Sequence, residues 1–223
     1  MTIKNNDFVK LDYVGRVDGK IFDLTKEDVA KKEGIFNEKT KYGPVTIVVG
    51  AGHLLKGIDE VLVGKDVGDS FSVDIEPEKA FGKKNAKLIK IIPERSFREQ
   101  KVKPYPGMQV NIDGILGIVI SAGGGRIIVD FNHPLAGKTL NYEISVLEKV
   151  EDKAKQVASL VEMYTNVKPE VEIAEDSVKI IMNEAKNLSE KAKTHIEEEI
   201  KKYAGLKKVE FLSKDAEEKT AQQ

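Results

Sequence analysis

Three observations place this chain in the α+β class. Strands alternating between apolar and polar residues recur from Phe8 to Ile75, one short helix-spaced turn interrupts them, and sustained helical periodicity begins only after Val150. An antiparallel sheet wrapped on a short helix accounts for the first part. A small β-rich insertion and a C-terminal α/β domain account for the rest. A length of 223 residues suits two or three such domains.

The first strand is FVKLDYVGRV, in which Phe8, Lys10 and Asp12 alternate with Val9, Leu11 and Tyr13. Asp18-Gly19-Lys20 makes a hairpin turn and IFDL returns as the second strand. Residues 26–44 are polar and Gly/Pro-punctuated, a long loop with one helical turn. VTIVVG (45–50) is rich in β-branched residues and reads as a strand. Leu54, Leu55, Ile58, Val61 and Leu62 then share a helix face, framed by Gly52, Gly57, Gly64 and Gly68. The strand DSFSVDIEP follows, ending at Pro77.

Residues 83–129 change character. LIKIIP is a strand, ERSFREQ a helical turn, and two or three further strands join at Asp113-Gly114 and Gly123-Gly124-Gly125. The segment holds nine Lys/Arg against three Asp/Glu, a net of +6 inside a chain of net −1. Leu140, Tyr142, Ile144 and Val146 then line one side of a strand that needs a sheet to join. The first sheet is the natural host, so the basic segment is read as an insertion. The expected domains are 1–82 plus 130–150, 83–129, and 151–223.

Beyond Val150 the pattern Ala154, Val157, Ala158, Val161 and Tyr164 is helical, ended by Pro169. VEI (171–173) is a short strand. Val178, Ile181, Met182, Ala185, Leu188, Ala192, Ile196, Ile200 and Tyr203 read as one long apolar helical stripe, or as two helices broken near Asn187-Leu188-Ser189, closed by Gly205. KVEFL (208–212) is a last strand, and the tail KDAEEKTAQQ is expected to be disordered. Some sixty residues form a marginal domain alone. The stripe, with the edge of KVEFL, is therefore expected to form a homodimer.

Several function classes fall away. The chain has no Cys, hence no disulfide framework and no thiolate chemistry. MTIKNNDFVKLDY lacks the apolar core of a signal peptide. ILGIVISAGGGRIIV is too short and glycine-broken to span a bilayer. A cytoplasmic protein without membrane contact is expected. The Lys/Glu-rich, Gln-poor composition fits a heat-adapted organism. His53, His133 and His195 are the only histidines, so no metal site and no cofactor is expected; His133 is expected to order a turn before Pro134.

The segments VKLDYVGRV-DGKIFD, GPVTIVVGAGHLLKGIDEVLVGKDVGDSFSVDIEPEKAFG and NHPLAGKTLNYEISVLEKV resemble the FKBP-type peptidyl-prolyl cis-trans isomerases. The insertion between AFG and NHPLAG resembles the insert-in-flap domain of the SlyD-like branch, and the C-terminal extension resembles its long archaeal form. The resemblance implies an apolar pocket for a proline side chain, walled by Tyr13, Phe22, Asp23, Val45, Leu54, Leu55, Ile58, Phe81 and Tyr142, with Ile58 as its floor and Asp23 as a polar contact to the substrate carbonyl. It also implies polypeptide partners, unfolded or proline-containing. Val45 stands where an aromatic is usual, Ile58 where many members have Trp, and Phe81 where Tyr is usual. These departures bear on peptide turnover and macrolide affinity more than on the activity itself.

The insertion carries more apolar residues than fewer than fifty residues hide. Ile91, Phe97, Tyr105, Met108, Ile115, Leu116 and Ile118 are the candidates for a patch that holds unfolded chains. The alternatives are a holdase with little isomerase activity, or an RNA-binding module using the +6 charge with Phe97 and Tyr105. No RNP-like aromatic run supports the latter.

Overall fold

The computed structural model describes residues 1–183 and 188–214. Contacts group the chain into two compact units, one formed by Met1–Ile75 with the chain from Asn141 onward, the other by Glu76–Leu140. The division expected from sequence is finer. Here only the middle segment separates, and the C-terminal elements stay with the first sheet.

In the first unit, β1 (Phe8–Val17) is the strand on which the sheet is built. Along one edge it pairs antiparallel with β2 (Lys20–Leu24) through Val14–Val17 and with β3 (Val45–Val48) through Phe8–Leu11. The Asp18-Gly19 turn between β1 and β2 has φ of 49° and 76°, the left-handed pair that a two-residue hairpin requires. The helix α1 (Glu27–Lys32) is the one turn expected in the long loop. The short helix α2 (Lys56–Leu62) precedes β4 (Ser70–Ile75). The other edge of β1 receives β9 (Leu140–Lys149), and β4 lies beyond it. Val9, Leu11 and Tyr13, alternate residues on one face, are all buried, as are Ile58 and Leu62 of α2.

Two helices and three strands follow. The helix α4 (Lys153–Thr165) starts where the Asp152 carboxylate accepts the Lys155 N–H at 2.9 Å, and ends on Asn166 in the left-handed conformation. The strands β10 (Glu170–Ala174) and β11 (Ser177–Ile181) form a hairpin. The helix α5 (Glu190–Glu199), continued by a π-turn over Ile200–Ala204, crosses over to β12 (Lys208–Leu212), which pairs parallel with β11.

The Val178–Tyr203 stripe is therefore not one helix. Val178 and Ile180 belong to β11, and a short apolar run fits either period. Ala185 and Asn187 lie outside the described residues, as does the tail from Asp215. Val178, Ile180, Met182, Ile196 and Ile200 are at most 2% exposed. They form one core with Val157, Leu160 and Val161 of α4 and with Phe8, Val48 and Val150. The apolar surface assigned to a partner is filled by the chain itself.

In the second unit, β5 (Ile89–Pro93), β6 (Gln109–Ile112), β7 (Ile115–Gly123) and β8 (Arg126–Asp130) form an antiparallel sheet in the order β5-β8-β7-β6. The hairpins turn at Asp113-Gly114 and at Gly124-Gly125, as the sequence predicts. The helix α3 (Glu94–Glu99) closes the sheet. Phe97, Val110, Val119, Ile127 and Val129 form its core.

Candidate active site

Two consecutive residues of β2 create the site. Register runs from Arg16 opposite Ile21 to Gly15 opposite Asp23, so Phe22 is the extra residue of a β-bulge. Neighbouring residues in a regular strand point to opposite faces; a bulge re-aims one of them. Here the Phe22 ring and the Asp23 carboxylate both reach the face of β1 that carries Tyr13. On the far side of β1, Tyr142 of β9 stands opposite the same Gly15.

Gly15 makes the arrangement possible. A β-carbon there would lie 2.9 Å from the Tyr142 ring and 3.1 Å from the Phe22 ring. Its bare backbone is the seat on which the two rings meet, edge to face at 5.8 Å between centroids. The Tyr13 ring lies 5.7 Å from Tyr142. Sequence reasoning passed over Gly15, although a glycine inside an alternating strand is a signal of close approach. It also passed over Thr25. That hydroxyl accepts the Tyr13 N–H at 2.9 Å and donates to Asp12 at 2.6 Å, and the Thr25 N–H donates to the Tyr13 carbonyl at 3.0 Å. Thr25 thereby ties the end of β2 to β1 beside the site.

The electrostatics are those of a dry wall with one polar group. Burial raises the pKa of Tyr13, and the nearby Asp23 carboxylate raises it further; Tyr142 is raised for the same two reasons in the same order. Both phenols stay protonated, and the Tyr13 hydroxyl donates to Asp23. Burial also raises Asp23, offset in part by that bond and by the Leu24 N–H. This carboxylate is an acceptor already in use.

Leu54, Leu55 and Ile58 come from the glycine-framed turn. Leu54 and Leu55 are half-buried and precede α2, whereas Ile58 is 1% exposed. Gly52 and Gly64 have φ of 79° and 87°, with open space where a β-carbon would stand. These glycines serve backbone direction rather than close approach. The Asp59 carboxylate accepts the Gly52 N–H at 3.1 Å and holds the turn against α2. Val45 pairs with Leu11, which puts it on the Tyr13 face. It also borders a cavity of about 580 Å³ between residues 41–46 and α4. Phe81 belongs to the second unit, where it stacks on His133 at 4.1 Å. His133 Nδ1 accepts the Leu135 N–H, the local turn expected before Pro134.

The candidates on the second unit divide. Ile91, Tyr105, Ile115 and Leu116 are 58–69% exposed. Met108 and Ile118 are half-buried, and Met108 packs on the core. Phe97 is 6% exposed and belongs to that core, so it is withdrawn from the patch and is not free to stack on a base. Helical spacing in ERSFREQ shows that Phe97 has a face but not which way it turns. Gly117 was missed: a β-carbon there would stand 2.6 Å from Val129 and 2.8 Å from Phe131.

Residues 90–135 match the family model described as FKBP26, IF domain. A Methanocaldococcus jannaschii protein named short-type peptidyl-prolyl cis-trans isomerase is 39% identical over 144 residues, covering 65% of this chain and 92% of the relative. The FKBP-type 16 kDa peptidyl-prolyl cis-trans isomerase of Escherichia coli K12 is 34% identical over 109 residues, covering 47% of this chain and 73% of the relative. The FKBP-type peptidyl-prolyl cis-trans isomerase SlyD of Haemophilus influenzae is 27% identical over 165 residues, covering 71% and 78%.

The raised Asp23 pKa has a consequence for stability. An unfolded Asp titrates near 3.9; a folded pKa above that means the native state keeps its proton longer as pH rises. The group then costs stability above the unfolded value, and the cost stops growing past the folded pKa. Asp23→Asn still accepts from Tyr13 but carries no charge. Its melting temperature should gain on the wild type as pH rises through the carboxylate range and level off towards neutrality. A difference that is flat or falls with pH contradicts burial as the dominant effect.

Proposed function

The chain belongs to the FKBP-type peptidyl-prolyl cis-trans isomerases, and on that footing we propose that the face built from Tyr13, Phe22, Asp23, Leu54, Leu55, Ile58 and Tyr142 is its proline pocket, with Val45 at its margin. The observation that carries this reading is the bulge that gathers two aromatic rings and one tethered carboxylate over a bare glycine.

The chemistry asks for no covalent step. Resonance holds an X-Pro amide planar behind a barrier of about 18–20 kcal/mol. At a quarter turn that resonance is lost, with the charge separation of the planar amide. Water solvates the planar form well, whereas an apolar wall favours the less polar twisted one. Only interactions better in the transition state than in the ground state raise the rate. A hundredfold acceleration needs about 2.7 kcal/mol, within reach of shape and desolvation. Asp23, fixed by Tyr13, orients the substrate carbonyl by its field and is not a general base.

The second unit supplies chain binding. Ile91, Tyr105, Ile115 and Leu116, rimmed by an excess of Lys and Arg, present apolar groups of mixed shape to unfolded polypeptides. Tethering a client raises the concentration of its prolines at the pocket. Cytoplasmic folding of proline-containing chains is the setting this implies; among the described residues no helix is long and apolar enough to cross a membrane. The proposal extends to a homodimer at the outer edge of β12, which pairs only with β11 among the described residues.

Changing both Ile115 and Leu116 to Ser tests the division of labour. Catalysis of a proline-limited refolding reaction should fall about tenfold or more, while exchange of a short X-Pro peptide is kept. Refolding catalysed as well as before contradicts the tether, and parallel loss on both substrates contradicts the separation. For the dimer, light scattering should read about twice the 24.7 kDa chain mass; a single chain mass rules it out.

A further inference from the structure

A buried polar pair links the C-terminal helices to the turn that leads into α2. His53 immediately precedes Leu54, and its side chain is 3% exposed. Its Nδ1 accepts the N–H of Val48, the last residue of β3, at 3.1 Å. With Nδ1 an acceptor, the ring proton sits on Nε2. That nitrogen faces both carboxylate oxygens of Glu199 at 3.2 Å. Glu199 is the last residue of α5 and 9% exposed. It also takes the hydroxyl of Tyr164, from the last turn of α4; burial first, and then this bond, push the phenol up to about 12. His195, one turn earlier on α5, meets the same hydroxyl at 3.2 Å. The rings of Tyr164 and Tyr203 stand edge-on to the imidazole, 6.4 and 6.5 Å away.

A carboxylate so far from water is costly unless donors surround it. An apolar pair of equal volume often stabilises a core as well or better. Direction is what the polar pair adds. The bond to Glu199 fixes the plane of the imidazole, and the bond to Val48 fixes residue 53 against β3. The next two residues are Leu54 and Leu55.

We infer that Glu199 is a positioning residue of the isomerase pocket, acting through His53 on the segment that presents Leu54 and Leu55. The inference rests on the pocket reading above. It makes the C-terminal helices part of the isomerase rather than an appendage, although neither Glu199 nor Tyr164 belongs to the pocket wall.

The test uses the full-length protein, a proline tetrapeptide followed by exchange NMR, and ¹⁵N spectra of the histidine rings. Wild-type His53 should show a bare Nδ1 and a protonated Nε2. Glu199→Ala should lower kcat/KM about tenfold, the scale on which displaced positioning groups act, and mix the two tautomers. Glu199→Gln, whose amide oxygen still accepts from Nε2, should recover most of the rate and the single tautomer, whereas Glu199→Met, of similar length but without an acceptor, should stay as low as Glu199→Ala; a merely space-filling role predicts that Met restores the rate as well as Gln. His53→Asn keeps an acceptor for Val48 but does not reach Glu199. It should match the loss of Glu199→Ala, and the double variant should lose no more than either. It also stands in should Glu199→Ala fail to fold. An active wild type with both single variants unchanged, or with the proton on Nδ1, overturns the positioning role alone. An inactive wild type overturns the pocket reading, and this inference with it.

Discussion

One extra residue in β2 is the constraint from which the candidate site follows. Without the bulge between Gly15 and Arg16, Phe22 and Asp23 would face opposite sides of the sheet, as neighbours in a strand do. With it, an apolar ring and a carboxylate stand together on the Tyr13 face. Gly15 then decides what fills the space above it. Any side chain there would displace the rings of Phe22 and Tyr142. The local departure from regular pairing is stable because Thr25 clips the end of β2 to both the N–H and the carbonyl of Tyr13.

Around that face three polar side chains are each tied to a neighbour. Asp23 is bound by Tyr13, Asp59 accepts from Gly52, and His53 is held between Val48 and Glu199. If this face is the proline pocket proposed above, few free charges on it suit a less polar transition state. The second unit follows the opposite logic. Its core is small, and Ile115 and Leu116 stay in solvent at a hairpin tip, which suits contact with chains that lack fixed structure.

Much of this was legible in the sequence because it rests on periodicity and turn chemistry. The alternation in β1, the left-handed Asp18-Gly19 and Asp113-Gly114 turns and the helical run before Asn166 carry local signals that tertiary packing did not override. What stayed hidden depends on pairing between distant segments. The bulge at Phe22 exists only relative to the register of β1. β11 was read as helix because Val178, Ile181 and Met182 fit a period of 3.6 as well as Val178 and Ile180 fit a period of 2. The apolar stripe assigned to a partner met α4, Phe8 and Val48 instead, a destination that no amphipathic pattern names. Phe97 went inward for the same reason. The Glu199–His53 pair, 146 residues apart in the chain, has no sequence signature.

On the proposed function, a wall of apolar side chains around a tethered carboxylate accelerates rotation about X-Pro bonds. Cis-to-trans exchange of a short proline peptide, measured by NMR with the wild type and with Phe22→Ala, tests it most directly. Phe22 is half-buried, so its loss removes wall without emptying the main core. Exchange should be faster with the wild type, and most of that acceleration should be lost in a variant that remains folded. Acceleration left intact in Phe22→Ala, or none from the wild type, contradicts the assignment of this face as the catalytic surface.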